Sequence, residues 1–198
     1  MNNTLEYYDQ NAVAFADGTM NVDFSEIQNE FLSYLRKGAK ILDFGCGAGR
    51  DAKCFADKGF CVDAVDGSKR LCEIAKKNTG LPVRRMLFSE LDSLDAYDGI
   101  WACASILHVP KEQLPDIFRR MVDALHAKGI IYTSFKYGLG EKERGERFFS
   151  DFTEEAMCSF LEQFPELRIE KMWVTTDVRP GRGEEKWLNM ILRKSMLS

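Results

Sequence analysis

Short apolar runs alternate with longer amphipathic ones along most of the chain, the pattern of a sheet whose faces are covered by helices. The first helical signal is Ile27, Phe31 and Leu35, which repeat at helical spacing until Gly38; Ser25 and Gln28 stand ahead of them as a capping box. The run AKILDF (39–44) then reads as a short buried strand, followed by a helix from about Arg50 to Lys58 with Gly59 as its stop. FCVDAVD (60–66) predicts a second strand, and Ser68 is placed to cap a helix carrying Leu71, Ile74 and Ala75. Residues 82–87 and 98–105 predict the third and fourth strands. Leu114, Ile117, Phe118, Met121, Val122 and Leu125 mark one face of a strongly amphipathic helix.

Beyond it, KGIIYTSFK (128–136) predicts a fifth strand, and a helix is expected to start at Thr153 and stop before Pro165. Between them GEKERGERFFSD (140–151), with its alternating charges, reads mainly as a solvated loop, the alternative being a border of the substrate mouth. The tail predicts two strands, 167–178 and 185–194, joined by the turn-rich RPGRG (179–183) and hence antiparallel.

Composition narrows the class. A chain of 198 residues with 45% hydrophobic content suits one domain (1–198) with a sizeable core, its helical segment 1–38 able to act as a lid. The net charge of −4 and the absence of a basic block argue against nucleic acid as a partner. No run approaches the roughly 18 apolar residues of a membrane span, and MNNTLEYYDQ lacks a signal-peptide pattern, so a cytoplasmic protein with no membrane partner is expected. Cys46, Cys54, Cys61, Cys72, Cys103 and Cys158 are scattered without a CxxC pair, and His108 and His126 do not complete a ligand set. Reduced thiols and no metal follow.

The sharpest chemical signal is ILDFGCGAGR (41–50), the pattern D-x-G-x-G-x-G from Asp43 through Gly45, Gly47 and Gly49, with Cys46 inside the turn. It lies where a strand ends and a helix begins, where glycines permit positive φ and a helix N-terminus offers N–H donors to an anion. Asp43 stands ready for a positive group. Asp66, 23 residues further on, ends the next strand, where a carboxylate can accept ribose hydroxyls. S-adenosylmethionine (SAM) carries a carboxylate, an ammonium and a ribose, and meets all three. A nicotinamide dinucleotide would want a small residue at position 50, where Arg50 stands.

The run 41–50, Asp66, YDGIWACASILHVP (97–110), SFKYG (134–138) and DVRPGRGEEKWLN (177–189) together resemble the class I SAM-dependent methyltransferases, and among them the small bacterial tellurite-resistance-like (TehB-like) enzymes. The resemblance implies an α/β fold: a doubly wound, Rossmann-like sheet of seven mostly parallel strands with the last antiparallel. It implies that Asp43, Gly45, Cys46 and Gly47 hold the methionine end of SAM. Asp66, with Gly67 and Ser68, would hold the ribose, with Lys69 nearby. Leu87 and Phe88, with Ser89 or Glu90, would flank the adenine, and Ser105 completes the cofactor set. Tyr7 and Tyr8 lie in a segment that closes over SAM in comparable enzymes, so that one, Tyr8 in the set chosen here, would reach the cofactor carboxylate; the plainer reading is helix packing.

The sulfonium brings an activated methyl group, so the protein's work is orientation and shielding, and a base is optional. His108 after the fourth strand, Lys136 and Tyr137 after the fifth, and Arg179 and Arg182 after the sixth converge on one sheet edge. They suggest a small anionic or oxyanionic acceptor, with His108 as its base. A backbone-bonded loop histidine and a solvated hairpin tip are the structural alternatives. A methyltransferase acting on a small molecule, monomeric or homodimeric, is therefore expected; a non-catalytic SAM-binding module and, less so, an NAD-dependent oxidoreductase are the competing classes.

Overall fold

In the computed structural model, which describes residues 3–179 and 181–195, the apolar runs become strands β1 (Lys40–Phe44), β2 (Cys61–Asp66), β3 (Val83–Arg85), β4 (Tyr97–Ala102) and β5 (Leu125–Lys136), all parallel. A separate two-stranded hairpin follows, β6 (Glu141–Arg144) and β7 (Arg147–Ser150). The chain then returns as β8 (Leu167–Thr176) and β9 (Lys186–Lys194). The sheet has seven strands in the order β3-β2-β1-β4-β5-β9-β8, and β9 runs antiparallel to both neighbours. This is the fold class expected from the sequence. Met1, Asn2 and Pro180, which belong to the expected lid segment and the RPGRG turn, lie outside the described residues.

Side chains alternate across the sheet, so each face builds its own core. Leu42, Phe44, Ile100 and Ile131 pack with α6 (Leu114–Ala124) and α7 (Glu154–Leu161) on one side. Ile41, Trp101, Ile130 and Tyr132 pack on the other side, under α3 (Ser25–Leu32), α4 (Arg50–Asp57) and α5 (Lys69–Thr79). Both faces being covered explains why the central strands read as near-continuous apolar runs. No helix among the described residues is long and apolar enough to cross a membrane.

Two helix caps form where the sequence places them: Ser68 Oγ accepts from Leu71 N at 3.1 Å and Thr153 Oγ1 from Ala156 N at 3.3 Å. The third does not. Phe24 occupies the cap position of α3, Ser25 N donates to Asp23 Oδ1, and Gln28 is buried with its amide on Asp51. A buried amide needs a partner more than an exposed helix end needs a cap, because water can satisfy the latter. Leu125 likewise leaves the helix face assigned to it and begins β5, ahead of a bulge that Lys128 turns with φ 66°.

Residues 140–151 are the largest correction. They form the β6–β7 hairpin rather than a solvated loop, with Phe149, Ser150 and Asp151 buried. The charges that suggested a loop lie mainly on the outer strand. Asp151 is fully buried yet ion-paired to Arg144 at 2.5 Å and Lys142 at 3.3 Å, and Phe149 anchors the hairpin to the larger core.

Candidate active site

Parallel register brings the C-terminal ends of β1, β2, β4 and β5 to one edge, where open α/β sheets bind ligands. A cavity of about 770 Å³ opens there. α1 (Asn3–Gln10) and α2 (Ala12–Thr19) border it on one side and the β6–β7 hairpin on another.

The glycine turn forms its floor. Gly45, Gly47 and Gly49 have φ of 91°, 56° and 90°, a region that side chains with a Cβ avoid. At Gly45 space excludes a side chain as well: a Cβ would stand 2.4 Å from that of Ser105, whose hydroxyl donates to the Phe44 carbonyl. Four of the turn's N–H groups are not left for an anion, as the sequence suggested. Gly45 and Cys46 both donate to the Val65 carbonyl, Gly49 to Cys46 O, and Gly47 to Asp66 Oδ2 at 2.8 Å. The turn folds back on β2 and consumes them itself.

Asp66 faces the cavity, its other oxygen accepting from Ser68 N at 2.8 Å. Burial, aided by nearby Asp9, pushes its carboxyl up to about 6 against the pull of those two backbone bonds. Each oxygen keeps a lone pair for a further donor. Gly45, Cys46, Gly47, Gly67, Phe88 and Ser105 also line the cavity, as expected, and so do Met86, Leu87 and Ser89. Burial raises the Cys46 thiol well above its ordinary value, which makes it a packing group rather than a nucleophile.

Ser68, Asp43 and the exposed Lys69, all expected around the cofactor, do not line the cavity. Ser68 is fully buried, its hydroxyl donating to Asp9 Oδ1 at 2.5 Å because α1 lies across the start of α5. Asp43 sits behind the turn, and its Oδ2 has no hydrogen-bond partner among the described residues. Burial, then the neighbouring Asp51, holds the Asp43 carboxyl well above the ordinary carboxylate range. The acid that does line the cavity there is Asp51, which sequence reasoning passed over. It accepts from Arg50 Nε at 2.8 Å, Gln28 Nε2 at 2.7 Å and Trp101 Nε1 at 2.9 Å.

Across the cavity, His108 ends a short 3-10 turn after β4. Its Nδ1 lies 2.7 Å from the Phe148 carbonyl, which fixes the proton on that nitrogen and leaves Nε2 to accept from Tyr8 Oη at 2.9 Å. Burial lowers the imidazole to about 4, so it is neutral near pH 7. Tyr7 does not line the cavity; its ring lies under the Arg147 guanidinium, 4.9 Å away. Arg147 itself lines the cavity and was missed, because its segment read as a loop.

The expected acceptor cations are largely compensated. Lys136 Nζ sits between Asp177, at 3.4 Å, and Glu185, above the Trp187 ring. Arg179 grips Asp177 through Nε at 2.8 Å and through its terminal nitrogen. Burial opposes ionisation of Asp177, but the bonds from Arg179 and Trp187 outweigh it and hold the carboxyl below the usual range. Arg182 lines the cavity with Glu185 at 3.9 Å. Tyr137 does not reach the cavity at all; its exposed hydroxyl donates to Glu154 Oε2. Successive side chains of an extended strand point to opposite faces, and Lys136 takes the cavity side, which turns Tyr137 away.

Residues 41–129, from the glycine turn to the start of β5, match the family model described as a methyltransferase domain. A protein of Geobacillus sp. (strain WCH70) named as a methyltransferase is 30% identical over 115 residues, 54% of this chain and 47% of its own length. The chain spans about half or less of the length of the curated relatives it matches. Among solved structures, the 1,6-didemethyltoxoflavin-N1-methyltransferase of Burkholderia thailandensis, with 1,6-didemethyltoxoflavin and S-adenosylhomocysteine bound, superposes with a TM-score of 0.75 at 22% identity over 96% of this chain and 85% of that one. Residues 41–129 are thus similar to a methyltransferase domain, and the sheet as a whole has the fold of this solved methyltransferase. TehB of Haemophilus influenzae shares the fold at a TM-score of 0.69 and 17% identity, over 91% of this chain and 66% of that one. The family match ends before the β6–β7 hairpin and begins after α1, so Tyr8 and Arg147 belong to the part of the cavity wall that it does not describe.

Proposed function

We propose that the protein transfers a methyl group from SAM to a small organic acceptor in the cytoplasm. The observation that carries this reading is the Asp66 carboxylate, which opens into the cavity directly beside the glycine turn. There it can accept the ribose hydroxyls while Leu87 and Phe88 flank the adenine. The turn, with the Asp51–Arg50 pair next to it, would meet the amino-acid end, and Asp43 supports the turn from behind. The chemistry SAM supplies when bound is a methyl group already activated by its sulfonium.

The chain's own residues bind, orient and exclude water. Holding two reactants in attack geometry contributes on the order of 7–11 kcal/mol, so positioning alone can carry most of the catalysis. Leu107 and Phe149 provide an apolar wall for the acceptor. Neutral His108 can take a proton on Nε2 once the Tyr8 hydroxyl moves off it, which suits an acceptor that arrives protonated.

The test is calorimetry with S-adenosylhomocysteine (SAH) and, separately, NADH on the full chain. Saturable heat with SAH alone, lost in Asp66→Ala, is the expected result; heat with NADH alone would remove the reading. One observation favours a non-catalytic SAM-binding module instead: Nε2 of His108 is already engaged. Transfer of label from methyl-labelled SAM to any member of a small-molecule acceptor panel, slowed by His108→Ala, decides for the enzyme.

A further inference from the structure

Charge compensation sets Arg147 apart from the other cations of the cavity wall. Arg50 is paired with Asp51, Lys136 and Arg179 with Asp177, Arg144 with Asp151, and Arg182 faces Glu185. Among the described residues Arg147 has no carboxylate at ion-pairing distance. Its guanidinium instead lies 4.9, 5.3 and 5.9 Å from the ring centres of Tyr7, Phe149 and Tyr8, with the Tyr8 hydroxyl 3.4 Å from one terminal nitrogen.

A second observation points the same way. Arg147 is registered directly opposite Arg144 across the hairpin. Like charges in that relation are destabilising unless anions offset them. Asp151 offsets Arg144, and among the described residues no carboxylate pairs with Arg147. Its backbone is nonetheless held firmly: the adjacent Phe148 donates its N–H to Thr4 Oγ1 at 3.0 Å and offers its carbonyl to His108. A rigidly placed, half-buried guanidinium lacking a counter-ion is a receptor for an oxyanion on a bound molecule.

We propose that Arg147 is the anion receptor of the acceptor compartment and takes a carboxylate-type group of the methyl acceptor, with the Tyr8 hydroxyl beside it. This inference rests on the methyltransferase reading and names its substrate class: an acceptor with an apolar or aromatic body against Phe149 and one oxyanion on Arg147. The carboxylate of SAM has the same chemistry. Arg147 stands on the separate hairpin, next to Phe148 whose carbonyl holds His108, whereas Asp66 and the glycine turn end β2 and β1; the cofactor probes below decide between the two sources.

Benzoate and its neutral isostere benzamide serve as acceptor probes, titrated by calorimetry into the full chain with and without saturating SAH. SAH and 5′-methylthioadenosine, which lacks the amino-acid part, serve as cofactor probes. The expected result is that SAH-loaded wild type prefers benzoate by about tenfold or more, the worth of a charge-assisted hydrogen bond. Arg147→Met abolishes the preference, Arg147→Lys keeps part of it, and both bind SAH as wild type does. If Arg147→Met does not fold, the wild-type preference and its partial retention in Arg147→Lys carry the test.

Equal binding of benzoate and benzamide by wild type overturns the proposal, as does a preference that survives in Arg147→Met. A loss of SAH affinity in Arg147→Met with 5′-methylthioadenosine unaffected assigns the arginine to the cofactor and overturns it too. Failure of wild type to bind SAH at all instead brings down the methyltransferase reading on which the proposal stands.

Discussion

The phenol of Tyr8 donates a 2.9 Å hydrogen bond to Nε2 of His108, 100 positions away along the chain. His108 in turn grips the Phe148 carbonyl, so helix α1, the loop after β4 and the β6–β7 hairpin are tied together at one imidazole. Three segments that share no sheet thus form a common wall of the cavity.

Removing that phenol should be costly. Tyr8→Phe leaves a buried nitrogen of His108 without its donor, a change worth about 1–3 kcal/mol. Urea denaturation should show the loss, and a midpoint unchanged from wild type would mean the bond contributes nothing in solution.

Acid should weaken cofactor binding through Asp66, whose carboxyl is raised to about 6 in the ligand-free fold. A carboxylate that accepts ribose hydroxyls must be ionised, so SAH affinity should fall below pH 6 with a limiting slope of about tenfold per pH unit. Calorimetry from pH 8 to 5 measures it, and a flat profile there would separate Asp66 from the ribose.

Stability should respond to the same groups with opposite signs. Asp66 has a folded-state pKa of about 6, above its unfolded value of about 3.9, so its stabilising contribution is full below the latter and is lost as pH rises through 6. His108 is lowered to about 4 from about 6.5, so its contribution is present above 6.5 and is lost as pH falls through 4. Relative to wild type, ligand-free Asp66→Asn should therefore be less stable at pH 5 than at pH 7. Paired denaturation curves at the two values check the sign.

Gly45→Ala combines a left-handed backbone, φ 91°, with a Cβ placed 2.4 Å from that of Ser105. A loss of at least about 2 kcal/mol is expected from backbone strain and overpacking together. Thermal unfolding reads it directly.

Tyr137→Phe should do almost nothing. Its hydroxyl contacts exposed Glu154 outside the cavity, so stability should stay within about 0.5 kcal/mol and SAH affinity should not move. A large loss of benzoate affinity in the SAH-loaded protein would restore Tyr137 to the acceptor set in which the sequence placed it.

What the sequence disclosed was what neighbours along the chain decide. The glycine turn, Asp66 at the end of β2 and the caps at Ser68 and Thr153 each depend on a few adjacent positions, and each was legible. The rest needed partners from afar. Gln28 gave up its expected cap for Asp51, 23 positions on, and Trp101 reached the same carboxylate from 50 positions away. The hairpin hid behind its charges because burying Asp151 requires Arg144, a pairing that alternating signs alone do not announce. With the hairpin unseen, Arg147 could not be placed on the cavity wall, and the reading of the acceptor site rested on Lys136 and Arg179, whose charges the fold compensates.

The position of β9 has a consequence for how the protein is made. Although β8 precedes it in the chain, β9 lies between β8 and β5 in the sheet. During synthesis, therefore, β5 emerges with a bare flank and β8 has nothing to dock against until residues 186–194 leave the ribosome. Open strand edges invite association with other chains. A nascent chain stalled before Trp187 would be a poor folder and a good client for a chaperone, whereas one carrying Lys194 can zip both flanks at once.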